Sequence, residues 1–255
     1  MERERHLSGT AGRIRVEAEE LALIALELRE KPPADILAWA VERYSPRLVV
    51  VSNYGPGTLV VLHHLADMGR DVPVLHLNTG FEFPETEVLG RKLEERYGLR
   101  IREIVPEMTV EEQERVHGPE LYRTNPDYCC YLRKALPLDK ALQGYDAWVT
   151  GIRKSQSETR RGVSVVEWDG RHEMVKVNPL AEWTSEQVWE CIRENGIPYH
   201  PLHHAGYRSI GCWPCTRPTQ EGEDERAGRW HGLAKTECGI HLADFTPKPP
   251  TEKDA

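Results

Sequence analysis

With 255 residues, 39% of them hydrophobic and 29% charged, the chain can form one α/β domain, or one domain with small appendages, around a sizeable core. A net charge of −8 argues against a large basic footprint for nucleic acid, although a small anion needs only a local group of arginines. The N-terminus lacks the apolar run of a signal peptide and no uncharged stretch is long enough to span a bilayer, so no membrane is expected and the expected compartment is the reducing cytosol.

Residues 14–43 carry helical periodicity through Ile14, Val16, Leu21, Leu23, Ile24 and Leu26, with a break at Pro32-Pro33. Leu48 to Val51 reads as a short buried strand, and Leu59 to Met68 as an apolar helix after a Gly-Pro-Gly turn. Val72 to Leu77 is the next expected strand. Pro84 to Tyr97 is an amphipathic helix opened by proline, and Leu99 to Val105 a third strand. A helix from about Tyr131 to Leu142 precedes a fourth strand, Ala147 to Ile152. This alternation predicts a twisted parallel sheet with helices on both faces. Val163 to Trp168 and Glu173 to Val177 form an expected hairpin around Asp169-Gly170, and Thr184 with Gln187 starts a capped helix reaching Asn195-Gly196. The organisation expected is an N-terminal helical segment (1–45), an α/β domain (46–205) and a mobile C-terminal arm (206–255), too poor in apolar residues to make its own core.

The six cysteines of a cytosolic chain read as metal ligands or reactive thiols before disulfides. Cys129-Cys130 and Cys212-Trp213-Pro214-Cys215 offer four thiolates, enough for a [4Fe–4S] cluster, while a zinc site or unliganded buried cysteines stay open from spacing alone. An adjacent pair suits zinc poorly, because neighbouring side chains point apart. Cys238 lies in the polar arm, where an accessible thiol near positive charge becomes a nucleophile; Lys235 and His241 are its local candidates for that charge. Cys191, with Val188 and Ile192, belongs to an apolar helix face and reads as core. Arg133 and Lys134, then Arg153, Arg160 and Arg161, then Arg226 and Arg229 could build an anion pocket, and Arg153 stands where open α/β sheets bind ligands, just past a strand's carboxyl end. The Ser52 to Thr58 turn could hold a phosphate on helix N-terminal amides, although it lacks the ending of a Walker loop.

Five segments carry a resemblance: Cys129 to Lys134, Trp148 to Arg153, Gly206 to Arg217, Gly222 to Trp230, and Glu237 to His241. In order and spacing the chain resembles the assimilatory sulfonucleotide reductases, specifically the adenylyl-sulfate reductases with an iron–sulfur cluster, from about Val49 to His241. The resemblance implies an adenine-nucleotide α-hydrolase-like fold and a [4Fe–4S] cluster on Cys129, Cys130, Cys212 and Cys215, which organises the site electrostatically with Lys134 rather than carrying electrons. It further implies Cys238 as nucleophile, assisted by Lys134 and His241. Adenylyl sulfate would be reduced to sulfite and AMP through S-sulfocysteine, with thioredoxin as reductant, in sulfate assimilation and cysteine biosynthesis. Arg153, Arg160, Arg226 and Arg229 would face sulfate and phosphate, and Ser52, Thr79 and Gly80 would line the nucleotide edge. Two departures stand out: Tyr54-Gly55-Pro56-Gly57-Thr58 replaces a loop that usually carries a carboxylate, or glutamine and aspartate, and Asn78 stands where aspartate is common. The alternatives are a phosphoadenylyl-sulfate reductase of the same fold, which generally lacks both cysteine pairs, an ATP pyrophosphatase, whose Ser-Gly-Gly-Lys-Asp-Ser-like loop is missing here, and a zinc-holding binding module. The sequence leaves the oligomeric state open.

Overall fold

A computed structural model describes residues 18–242 and 245–249, so Ile14 and Val16 lie outside the described residues. The N-terminal periodicity resolves into two helices, α1 (Ala18–Leu28) and α2 (Pro33–Tyr44), because Pro33 can open a helix but lacks the N–H needed to continue one. Leu21, Ile36 and Leu37 pack into the same core as the sheet, so this segment shares the main domain's interior.

β1 (Leu48–Ser52), buried at every position, leads to α3 (Pro56–Asp67). This helix starts three residues earlier than expected, inside the Gly-Pro-Gly turn, with Gly55 as its N-cap and Pro56 in its first turn. β2 (Val74–Leu77), α4 (Pro84–Tyr97) and β3 (Ile101–Ile104) follow. Two short helices were not foreseen, α5 (Val110–His117) and α6 (Leu121–Thr124). The helix expected from Tyr131 begins earlier, as α7 (Pro126–Cys130), passes through a π turn at Tyr131–Ala135 and ends as α8 (Leu136–Ala141). β4 (Ala147–Val149), the hairpin β5 (Val166–Asp169) and β6 (Met174–Val177), and α9 (Ser185–Glu194) complete the domain. Thr184 and Gln187 form the expected capping box.

The six strands run in the order β3-β2-β1-β4-β6-β5, parallel except for the antiparallel β5 at one edge. Residues of β1 alternate between faces. Val50 packs with Leu62, Leu89 and Val188 under α3, α4 and α9; Val49 and Val51 pack with Leu138, Leu142 and Trp148 under α8. Each such side chain contributes about 1.5–3 kcal/mol on burial. The chain runs outward from β1 through β2 to β3 and returns at β4 on β1's other side. This reversal opens a crevice at the strands' carboxyl ends.

Beyond residue 200 the described residues form 3-10 turns and irregular chain. The segment is tied to the domain by Trp213 N–H donating to the Phe81 carbonyl at 2.8 Å, Arg171 Nη1 to the Phe245 carbonyl at 2.8 Å, and Asn125 Nδ2 to the Lys248 carbonyl at 3.2 Å. Among the described residues no helix is long and apolar enough to cross a membrane.

Candidate active site

One cleft runs along the carboxyl ends of β1, β2 and β4 and is roofed by the arm. Ser52 and Asn53 line it from β1, Thr79 and Glu82 from β2, and Thr150 to Ile152 from β4; Lys134, Arg160, Arg226, Arg229, Cys238 and His241 close it. Gly55 to Thr58 also face it, presenting the first turn of α3, whose amides have no intrahelical acceptor. Ser52 Oγ accepts from the Tyr54 amide at 3.0 Å, which shapes the unusual loop. Tyr54, at φ +54°, turns inward and stacks on His76 with ring centroids 4.1 Å apart. Gly57 is required by packing: a Cβ there would strike the Gly151 carbonyl.

The two cysteine pairs come together beside this cleft. Cys129, Cys130, Cys212 and Cys215 line one small cavity with Phe81, Tyr122, Lys134 and Trp230. All six cysteines are free thiols. Cys129 and Cys130 end α7, where the chain enters the wider π turn that also carries Lys134 inward. Cys212 and Cys215 are fixed by a backbone turn, the Cys215 amide donating to the Cys212 carbonyl at 3.0 Å. Thr79 Oγ1 lies 3.3 Å from Cys212 Sγ, and Gln113 Nε2 donates to Cys129 Sγ at 3.9 Å, as outer contacts of metal-bound thiolates do. Burial pushes the Cys129 thiol up to about 12 and the Cys130 thiol up to about 11, so a positive centre is what would hold them as thiolates. Among the described residues no three His, Cys, Asp or Glu are grouped to hold a single metal ion. A four-iron cluster takes one thiolate on each iron and spreads its ligands more widely than one ion does. Four thiols, sulfur-directed donors and Lys134 on a shared cavity fit such a group.

Lys134 is the cation at the junction of the two sites. Burial opposes its charge, but Cys212, Cys130 and Cys238 outweigh it and hold the ammonium above the usual lysine range. The two local candidates for charge beside Cys238 are otherwise engaged. Lys235 pairs with Asp127 and lies over the Trp230 and Phe245 rings, at 5.5 and 5.2 Å. His241 stacks on Trp148 at 5.5 Å; burial first, then Lys176, Arg160 and Arg226, drive its pKa well below the usual value. These surroundings oppose the charge expected of His241 and favour its neutral ring.

The arginines divide by what they already hold. Arg153 does not line the cleft; it is 1% exposed, lies behind the Gly57 loop and pairs with Glu225 at 3.1 Å. Arg160 is committed to Glu237, its Nε and Nη2 each 2.9 Å from a carboxylate oxygen. Arg226 shares that carboxylate at 3.1 Å, and burial followed by nearby Arg160 pushes its pKa down to about 10. Arg226 and Arg229 line the cleft; Arg226 Nε and Arg229 Nε are buried without a hydrogen-bond partner, as are Nε and Nη1 of Arg153. Arg161 is an exposed pair with Glu158. Gly80 stands off the cleft; its bare Cα face admits Arg133, whose Nη2 would lie 2.8 Å from a Cβ there. Arg133 itself is spent on the Thr79 and Met108 carbonyls. Asn78 caps the same turn, accepting from the Gly80 amide and donating to Glu103, both at 2.9 Å. Cys191 is core, as expected.

Sequence reasoning missed Glu82, Glu225 and Glu237, all acidic residues at a site read as an anion pocket. Glu82 lines the cleft and bonds His76 Nε2 at 3.0 Å, while His76 Nδ1 donates to the Ser52 carbonyl at 3.2 Å. Glu237 could have been noticed, since it adjoins Cys238.

Comparison with known proteins places this geometry. Residues 47–218 match the phosphoadenosine phosphosulfate reductase domain family. A phosphoadenosine 5′-phosphosulfate reductase of Gloeobacter violaceus is 43% identical over 229 residues, 89% of this chain and 95% of that protein. An adenosine 5′-phosphosulfate reductase of Halalkalibacterium halodurans is 44% identical over 215 residues, 84% of this chain and 93% of its own length. In structure, a phosphoadenylyl-sulfate reductase of Candida auris, solved as a phosphate complex, superposes with a TM-score of 0.72 at 32% identity, covering 80% of this chain and 98% of that one. Since the matched domain spans the strands whose ends form the crevice and both cysteine pairs, and the relatives align over most of their length, the chain belongs to the phosphoadenosine phosphosulfate reductase family.

Proposed function

We propose that this sulfonucleotide reductase acts on adenylyl sulfate, using Cys238 as nucleophile, a [4Fe–4S] cluster on Cys129, Cys130, Cys212 and Cys215, and a thioredoxin-type dithiol as reductant. The observation that carries it is the convergence of Cys238, Lys134, Arg226 and Arg229 on the cleft formed by the strand ends. The guanidinium groups of Arg226 and Arg229 on the cleft suit the sulfate and phosphate oxygens, and the α3 amides suit the nucleotide's phosphate or ribose. With the substrate's sulfur beside Cys238, the thiolate attacks it and the S–O bond to AMP breaks. The electron pair leaves on the AMP phosphate, whose charge the arginines hold. The product on the enzyme is Cys238 S-sulfonate. A thiolate of the reductant then attacks the Cys238 sulfur and sulfite departs with the S–S bonding pair. The reductant's second thiol resolves the mixed disulfide, so its two thiols supply the two electrons.

Lys134 stands between Cys238 and the thiol pairs and supplies positive charge to the developing anion. When bound, the cluster would add fixed charge beside Lys134. His241, neutral on Trp148, packs the arm beyond Cys238. The curated relatives bear both substrate names, and the two cysteine pairs favour adenylyl sulfate through the family resemblance. Measuring kcat/KM for adenylyl sulfate and for its 3′-phosphorylated form tests the choice: a strong preference for the former is expected, and equal values would overturn it.

A further inference from the structure

We propose that Glu237 is a positioning residue, docking the arm on Arg160 and Arg226 so that the adjacent Cys238 is presented to the cleft. The assignment rests on Cys238 being the nucleophile. Glu237 is 8% exposed and both its oxygens are filled. Oε1 accepts from Arg160 Nε at 2.9 Å and Thr159 Oγ1 at 3.1 Å; Oε2 accepts from Arg160 Nη2 at 2.9 Å and Arg226 Nη2 at 3.1 Å. Arg226 also donates to the Thr236 carbonyl at 3.1 Å, gripping the backbone on the other side. Burial alone would favour a neutral carboxyl, but Arg160 and Arg226 hold it ionised. A buried carboxylate between two arginines is costly to break, since removing it leaves two guanidinium groups crowded and unpaired.

The node also divides labour among the cations. Arg160 serves the arm, its third nitrogen donating to Gln156 at 2.5 Å. Arg226 bridges arm and cleft. Arg229, whose guanidinium donates to the Ile210 carbonyl at 3.3 Å and lies over the Trp230 ring at 4.6 Å, has no carboxylate partner among the described residues and is left for the substrate with Lys134. One carboxylate against two arginines keeps the cleft cationic while spending one of them on geometry.

The test uses the full chain in two measurements: the single-turnover rate of Cys238 S-sulfonate formation, and the rate of Cys238 alkylation by iodoacetamide. In Glu237→Gln the adduct rate should fall by about a hundredfold, the loss that a 1 Å misplacement brings, with AMP affinity preserved. Alkylation should become faster as the arm loosens. Arg160→Gln should reproduce both effects, and combining the two substitutions should add little. Arg160→Gln also serves if the glutamine variant at 237 does not fold. Wild-type adduct rate and wild-type protection of Cys238 in these variants would overturn the proposal. So would a fall in AMP affinity that accounts for the whole loss, because Glu237 would then act through substrate binding. Absence of any adduct in the wild-type protein would instead refute the nucleophile, and alkylation would still decide the docking role.

Discussion

Adding a methyl group at Gly151 perturbs the cleft without touching a charged or reactive residue. The ideal Cβ would stand 2.5 Å from the Gly57 carbonyl carbon and 2.8 Å from Thr58 Cα, both backbone atoms that cannot rotate away. Carbon atoms pack at about 3.5–4.0 Å, so the loop after β4 and the first turn of α3 must part by about 1 Å. Overpacking of this kind costs about 1–3 kcal/mol, and backbone on both sides argues for the upper end. At about 2–4 °C per kcal/mol for a domain of this size, Gly151→Ala should melt about 6–12 °C below wild type. The same displacement moves the α3 amides away from the cleft, so AMP affinity should fall as well. Differential scanning calorimetry and AMP titration read the two effects. Wild-type melting and wild-type affinity together would refute the close approach of the two loops as a determinant of the site.

Serine at Cys129, Cys130, Cys212 or Cys215 should remove iron and brown colour together from anaerobically purified protein, whereas stoichiometric zinc in the wild type would contradict the cluster. His172 lies 3.0 Å from Asp139 and 2.7 Å from Asp169; burial opposes its charge, but both carboxylates raise its pKa above 6.5. Its contribution to stability is therefore complete below pH 6.5 and lost as pH rises through the raised value. The melting-temperature gap between wild type and His172→Gln should shrink on going from about pH 6 to about pH 9, and a constant gap would contradict the charged bridge.

The sheet was legible because its strands are buried apolar runs, Leu48 to Val51 above all, and because Pro84 and the Thr184–Gln187 pair mark helix starts chemically. α5 was overlooked, since Val-Glu-Glu-Gln-Glu-Arg-Val-His buries only Gln113 and has no apolar stripe, although its Thr109–Glu112 capping box marks its start in the same way. Pro56 carried a helix-start signal, but two flanking glycines made the segment read as turn. The cysteine pairs and Cys238 could be picked out because their residue type restricts their chemistry. The roles of the arginines could not. Whether Arg160 faces a substrate or Glu237 depends on a partner 77 positions away, and Arg153 meets Glu225 72 positions away. His241 carries the same lesson: its burial, and after it the neighbours Lys176, Arg160 and Arg226, arrive only through folding and push its pKa down.

The central claim is that Cys238 takes the sulfonyl group. Incubating the anaerobically purified protein with adenylyl sulfate and no reductant, then weighing the Cys238 peptide, tests it directly. A gain of about 80 Da, the mass of SO₃ on a thiolate, is expected on Cys238, with release of one AMP. Cys238→Ser should bind AMP, keep its iron and form no adduct. An adduct on another cysteine, or sulfite production by Cys238→Ser at the wild-type rate, would contradict the account.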